Sequence, residues 1–350
     1  MVKFKLMGRT WEKDGVLWLA LSASGVEFTF TGTRLQAAFL GDQNAELVLE
    51  EPLRDKARMA VYIDGKRTET FMMTKKRQEM LLWESEREQT ITVKILKISE
   101  APMSLVGIEK IWGNEGSTFA ATPDKKHCIE IIGDSITCGF GIDDPFAEHS
   151  FQTCTEDATK AYGYRTAELL DADYSLVSYS GYGIVSGYTP DGNKTENEIL
   201  PHYYEMTSHS NGCLPGGERI DDVAWDFSRF QPEVVVINLG TNDDFYTQDI
   251  KERQDEYQRG YAAFLKKVRK NNPDAHIICT LGLMGDRLYP FLEAGVADYQ
   301  NETKDEKVST MYVTPQQPED GYSADYHPSV YSQERLAAQL AGEIRKMIEA

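Results

Sequence analysis

The amino-acid sequence predicts an α/β protein in two parts: an all-β jelly-roll sandwich, then a three-layer α/β/α unit built on a parallel sheet. Up to about residue 112, apolar residues alternate with polar ones or fall in short runs, the pattern of half-buried strands. Beyond about residue 127, strand-like apolar runs alternate with helical stretches, which is the order that builds a parallel sheet covered by helices. Between them, residues 113–126 (GNEGSTFAATPDKK) lack periodicity and are rich in Gly, Thr and Ser. The expected divisions are therefore 1–112, a linker at 113–126, and 127–350. At about 150 residues per domain, a chain of 350 residues has room for two cores without disulfide support.

The first part reads as strands at Val16–Leu21, Val26–Phe30, Leu35–Leu40, Met59–Ile63, Phe71–Met73, Ile91–Ile98 and Leu105–Trp112. Asp64-Gly65 is a strong two-residue hairpin turn, because both residues tolerate positive φ. In the second part, Cys128–Ile132, Tyr174–Val177, Val234–Asn238, His276–Leu281 and Val308–Val313 are the expected strands. Ile250, Tyr257, Tyr261, Phe264, Leu265 and Val268 fall on one helical face that closes before Asn271-Asn272-Pro273. A last helix carries Leu336, Leu340, Ile344 and Met347, with Ser332 as its expected cap.

Lys and Arg total 37 against 56 Asp and Glu, a formal net charge of −19. So acidic a chain is a poor partner for nucleic acid or anionic lipid, but it is indifferent to neutral sugars. Five cysteines without a C-x-x-C pair fit free thiols better than a disulfide framework or a zinc site. Val16–Leu21 imitates a signal peptide, yet its apolar run is only six residues and Glu12 and Asp14 precede it, so the expectation is a cytoplasmic protein.

In open parallel sheets, sites form beyond the carboxyl ends of the strands. Three chemistry-bearing segments fall there: Gly133-Asp134-Ser135-Ile136-Thr137-Cys138-Gly139-Phe140-Gly141, Ser178-Tyr179-Ser180-Gly181-Tyr182-Gly183 and Gly240-Thr241-Asn242-Asp243. A fourth, Asp325-Tyr326-His327-Pro328-Ser329, precedes the last helix. Acyl transfer needs a nucleophile, a base and donors where negative charge develops. Ser135 in its glycine-flanked turn and His327 in its late loop supply the first two. Asp134 reads as a residue that fixes the turn.

The four blocks, in order, resemble those of the SGNH (GDSL-type) hydrolases, and GDSITCGFG behind a β-rich domain is similar to carbohydrate esterase family 2. The resemblance implies an SGNH-hydrolase-like catalytic unit in which Gly181, through its N–H, and Asn242, through its amide, join the Ser135 N–H in an oxyanion hole. Without the family, Gly181 only permits a turn and Asn242 caps the helix that follows it. Many SGNH enzymes carry an aspartate three residues before the histidine, but that position here is Ala324. Asp325, two residues before His327, is the candidate third catalytic residue, with a main-chain carbonyl as the alternative known in the resembled family.

The expected activity is removal of acetyl groups from a carbohydrate of the xylan or glucomannan type through an acetyl-enzyme, with no metal or organic cofactor. Tyr182, Tyr246, Tyr326 and Trp225 are the candidate substrate contacts among the aromatics near the blocks, although Trp225 also reads as core. The alternatives are a noncatalytic glycan-binding protein, a sugar O-acetyltransferase, and a metal-dependent phosphoesterase using Asp134, Asp243 and His327 as ligands. Against the last, G-D-x-H-G and G-N-H-[DE] spacings are absent. An ordinary histidine base predicts a rate that falls below about pH 6–7 and is not flat down to pH 4.5.

Overall fold

A computed structural model describes residues 4–46 and 55–349. Strands β1 (Lys5–Met7), β2 (Thr10–Lys13), β3 (Val16–Leu19), β4 (Gly25–Gly41), β5 (Arg58–Ile63), β6 (Lys66–Met72), β7 (Arg77–Lys97), β8 (Val106–Gly113) and β9 (Thr118–Ala121) form one antiparallel sheet. Its spine is β2-β3-β8-β4-β7-β5-β6, with β1 and β9 paired to β4 as well. The sheet folds around one apolar core that includes Phe28, Phe30, Leu35, Phe39, Met59, Ile91, Val93 and Ile95.

Two expectations change here. Val26–Phe30 and Leu35–Leu40 are not separate strands but the halves of β4, joined where the register with β7 shifts between Gly32 and Arg34. The Thr-Gly-Thr-Arg stretch therefore bends a continuous strand by a bulge rather than ending it. Residues 118–121 lie in the expected linker, yet they pair with β4 at Phe28–Thr31 as β9.

The second sheet contains β10 (His127–Gly133), β11 (Ala172–Ser178), β12 (Val234–Asn238), β13 (His276–Leu281) and β14 (Val308–Tyr312), in the order β11-β10-β12-β13-β14. All neighbours are parallel, and β12 is buried along its whole length, as a strand covered on both faces must be. The helices are α1 (Ser135–Cys138), α2 (Tyr162–Leu170), α3 (Asp243–Thr247), α4 (Lys251–Asn271), α5 (Tyr289–Thr303) and α6 (Val330–Ile348). The expected apolar face of α4 is buried from Tyr257 to Val268, whereas Ile250 lies just before the helix. The cap of α6 is Ser329 rather than Ser332: the Ser329 Oγ accepts the Ser332 N–H, and Ser332 is buried inside the first turn.

Topology positions the site. The chain leaves β10 for β11 on one side and then returns to β12 on the other, which makes β10/β12 the switch point where a crevice opens. Gly133 pairs in register with both Ser178 and Asn238, so the loops that follow all three strands emerge side by side.

The two sheets share apolar cores, since Leu96 and Ile98 pack with Ile129, Ile131 and Leu176. Arg9 is 1% exposed and joins them as well. Its guanidinium donates to the Tyr204 and Met206 carbonyls and pairs with Glu130 at 3.2 Å.

Candidate active site

The Asp134 carboxylate caps α1 by accepting the Ile136 N–H at 3.0 Å, which presents Ser135 as the first residue of the helix. Ser135 Oγ lies 2.9 Å from His327 Nε2 across 192 positions of sequence. The imidazole stacks on Phe140, centroids 4.0 Å apart, and Phe140 stacks in turn on Phe151. The histidine loop approaches this closely because residue 141 is glycine: a Cβ there would sit 2.7 Å from the Ala324 Cβ.

Gly181 has φ +83°, a conformation that side chains disfavour, and its carbonyl accepts the Tyr188 N–H at 2.6 Å. The N–H groups of Ser135 and Gly181 donate to no other described residue. Asn242 occupies the cap position of α3 without making a side-chain cap bond, so the simple capping role fails. Its Nδ2 instead donates to the Tyr182 carbonyl at 2.9 Å and approaches Asp134 Oδ2 at 3.5 Å.

Burial dominates the electrostatics. Asp134 is pushed up to about 7 by burial, with Asp243 nearby as a further cause. Asp243 is pushed up to about 6 by burial, although the N–H groups of Ile184, Val185 and Ser186 bind its carboxylate and oppose the shift. This carboxylate straps the 181–187 loop to the strand end that carries Asn242. Its engagement by main-chain donors leaves it a poor metal ligand, against the phosphoesterase alternative. Burial pushes His327 down to about 4, against the opposing pull of Asp325, so the imidazole is neutral at pH 7 and able to accept a proton.

Among the described residues, no helix is long and apolar enough to cross a membrane.

Residues 131–335 match the GDSL-like Lipase/Acylhydrolase family. This chain belongs to that family. Residues 6–123 match the carbohydrate esterase 2 N-terminal domain, so the GDSL-type unit follows that module here. The cellulase/esterase CelE of Acetivibrio thermocellus is 33% identical over 237 residues, 67% of this chain but 27% of that protein. An acetylxylan esterase / glucomannan deacetylase of Cellvibrio japonicus is 30% identical over 230 residues, 65% of this chain and 58% of that one. The GDSL-family chain thus spans less than two thirds of the length of either relative. A family two carbohydrate esterase from Clostridium thermocellum, solved in complex with cellohexaose, superposes with a TM-score of 0.83 at 26% identity over 99% of both chains. An acetyl xylan esterase from Butyrivibrio proteoclasticus has the same fold, with a TM-score of 0.86 at 24% identity over 99% of this chain and 96% of that one.

Several expected site residues of this GDSL-type protein stand elsewhere than anticipated. Asp325 is beside His327, but its carboxylate accepts the Phe151 N–H at 2.9 Å, and His327 Nδ1 lies 3.1 Å from the Asp325 main-chain carbonyl instead. Asp325 and Tyr326 have φ +51° and +58°, and this pair of left-handed residues turns the carbonyl back toward the ring. Trp225 is no cleft residue: it is 7% exposed, with the Arg9 and Arg229 guanidinium groups over its ring. Tyr246 donates its hydroxyl to Glu256 beneath Arg253. The Tyr182 ring is buried against Tyr179, Tyr203 and His209, and only its carbonyl reaches Asn242. Tyr326 is exposed next to His327.

Phe140, an aromatic inside a glycine-rich turn, is not among the expected residues, and Tyr188 and Phe245, which belong to the aromatics near the blocks but not to the preferred contacts, form an exposed pair. These two rings meet edge to face at 4.7 Å, one five residues after the second block and the other two residues after the third.

Proposed function

We propose that this protein is a serine esterase that removes acetyl groups from a carbohydrate of the xylan or glucomannan type. The 2.9 Å contact between Ser135 Oγ and His327 Nε2 carries the reading, since it joins a hydroxyl to a neutral imidazole beside free N–H donors. The substrate class is taken from the relatives named acetylxylan esterase / glucomannan deacetylase. We propose a division of the chain within 122–126, after β9 has completed the first sheet.

In this reading, His327 Nε2 takes the proton of Ser135 as Oγ attacks the ester carbonyl. The Ser135 N–H, the Gly181 N–H and the Asn242 amide hold the oxyanion. Collapse expels the sugar hydroxyl with the proton from His327, leaving acetyl-Ser135. Water then repeats the cycle, so that acetate leaves and Ser135 regains its proton. The Asp325 carbonyl holds the imidazole, which makes the pair a dyad. Tyr188, Phe245 and Tyr326 offer exposed rings on which a sugar can lie. Acetate release from acetylated xylan, glucomannan and monosaccharide esters, with the Ser135→Ala protein as blank, tests the activity; no release above the blank on any of them refutes it.

Two further outcomes follow from the same geometry. Asp325→Asn keeps the main-chain carbonyl, tolerates the left-handed backbone and can still accept the Phe151 N–H. Its kcat is expected within about threefold of wild type, whereas the same exchange at a triad aspartate costs ~10⁴. A loss of that size would restore the carboxylate to the mechanism.

The pH dependence also departs from the sequence expectation. With His327 pushed down to about 4, kcat/KM is expected to stay level from neutrality to about pH 5 and to fall tenfold per unit below about 4. A flat rate at pH 4.5 is therefore compatible with a histidine base in this site. Because the unfolded chain binds this proton below its ordinary value near 6.5, stability also declines as pH falls from there toward 4. The folded fraction must be followed alongside the rate, and an acid limb at 6–7 in fully folded protein that persists in both Asp134→Asn and Asp243→Asn, whose carboxyls titrate near 7 and 6, would contradict the burial argument.

A further inference from the structure

Behind the proposed site lies a group of titratable side chains that the reaction does not use. Lys97, Glu100, Cys138 and Glu156 are all fully buried. Lys97 ends β7, Glu100 lies in the connection from β7 to β8, Cys138 ends α1, and Glu156 follows the nucleophile block. Glu100 Oε2 accepts the Ser180 N–H at 2.8 Å, and Glu156 Oε2 accepts the Glu100 N–H at 2.8 Å. Cys138 Sγ reaches the Ser178 hydroxyl at 3.2 Å and lies 3.9 Å from Glu100 Oε2. Lys97 Nζ donates to the Ser99 and Glu100 carbonyls.

The second oxygens, Oε1 of Glu100 and of Glu156, have no hydrogen-bond partner among the described residues. A free second oxygen on a fully buried carboxylate is costly, and the shorter of the two contacts that offset it is the Ser180 N–H at 2.8 Å. The Ser180 bond holds the residue immediately before Gly181. On the far side, the Tyr188 N–H holds the Gly181 carbonyl. The peptide that carries the Gly181 N–H is thus fixed between two anchors, and one of them comes from the β7–β8 connection of the N-terminal part.

We propose that Glu100 is a positioning residue for the oxyanion-stabilising loop, so that the N-terminal part completes the catalytic site instead of merely packing beside it. This rests on the reading of Gly181 as an oxyanion donor. Two adjoining buried carboxyls cannot both ionise cheaply. Burial pushes both carboxyls up, the charge of Glu100 adds to the shift at Glu156, which rises well above the usual carboxyl range, and the nearby Lys97 ammonium opposes both shifts. Preorganised donors are worth most when they need no reorganisation in the transition state, so misalignment is felt in kcat rather than KM.

The test compares Glu100→Gln, which keeps an acceptor oxygen in place, with Glu100→Asp, which withdraws it by one methylene. Glu100→Gln is expected within about threefold of wild-type kcat. Glu100→Asp is expected to lose roughly 10–100-fold in kcat with KM changed less than about threefold, a fraction of the effect of losing a donor outright. A folded Glu100→Asp protein with wild-type kcat overturns the proposal, as does an equal loss in both variants.

Should the aspartate variant fail to fold, hydrogen exchange on the wild-type protein decides. The Ser180 amide is expected to exchange as slowly as those of buried β11, and exchange at open-loop rates overturns the proposal. If Ser135→Ala retains turnover, the esterase reading falls and this inference with it. If Ser135→Ala is inactive and Glu100→Asp is unaffected, only the positioning role is lost.

Discussion

Replacing Ser135 with alanine is expected to reduce kcat on a chromogenic acetyl ester by roughly 10⁴–10⁶, with the fold unchanged. The magnitude follows from the role proposed for the hydroxyl: without Oγ there is no atom to carry the acyl group, and only binding and oxyanion stabilisation would remain to favour water attack. The structural cost is small. Ser135 is a first-turn residue whose hydroxyl meets His327, and the cap of α1 comes from Asp134 instead. The change removes one oxygen from the site and leaves the imidazole held through Nδ1 at the Asp325 carbonyl. Thermal melting within about 2 °C of wild type, together with loss of turnover, is the expected pair of results. More than a hundredth of wild-type turnover from an intact, uncontaminated protein would remove Ser135 from the mechanism.

The blocks could be read from the sequence because each is short and sits where a buried apolar run stops. Val234–Asn238 followed by Gly-Thr-Asn-Asp, for example, reads as a strand and its exit loop without any tertiary knowledge. What could not be read depends on which atom of a residue faces the site. Nothing in the letters Asp-Tyr-His states that two consecutive residues adopt left-handed backbone, and only that conformation gives His327 a carbonyl instead of the Asp325 carboxylate.

Trp225 misled for a different reason. Its neighbour Arg9 lies more than two hundred positions away, and a tryptophan covered by a buried guanidinium looks in sequence like any aromatic near a cleft. The long strands failed where polar residues at a bulge imitate a turn. Glu100 was invisible on the same principle: a lone acid in a loop next to Ala-Pro reads as solvated surface, and its burial follows only from docking against the second sheet.

Asn242→Ala is expected to lower kcat by about 10²–10³, equivalent to roughly 3–4 kcal/mol of transition-state stabilisation, with KM changed little. The side chain is buried and its Nδ2 bonds to the Tyr182 carbonyl, so the substitution also leaves that carbonyl without its partner. A cost of about 1 kcal/mol in stability is therefore expected, seen as a melting shift of about 2 °C or less in a chain of this length. The separation of these magnitudes is what distinguishes a donor from a strut. A strut loses activity in proportion to folded protein, whereas a donor loses it in protein that remains folded.

Asn242→Asp sharpens the comparison. It keeps the shape but, beside the buried acids Asp134 and Asp243, has at most one hydrogen, which the Tyr182 carbonyl and the oxyanion must share, and none when ionised. Its kcat at pH 7 is expected to fall at least as far as that of the alanine variant. If both variants retained kcat within about threefold of wild type, the amide would have no part in holding the oxyanion, and the burden would shift to the N–H groups of Ser135 and Gly181.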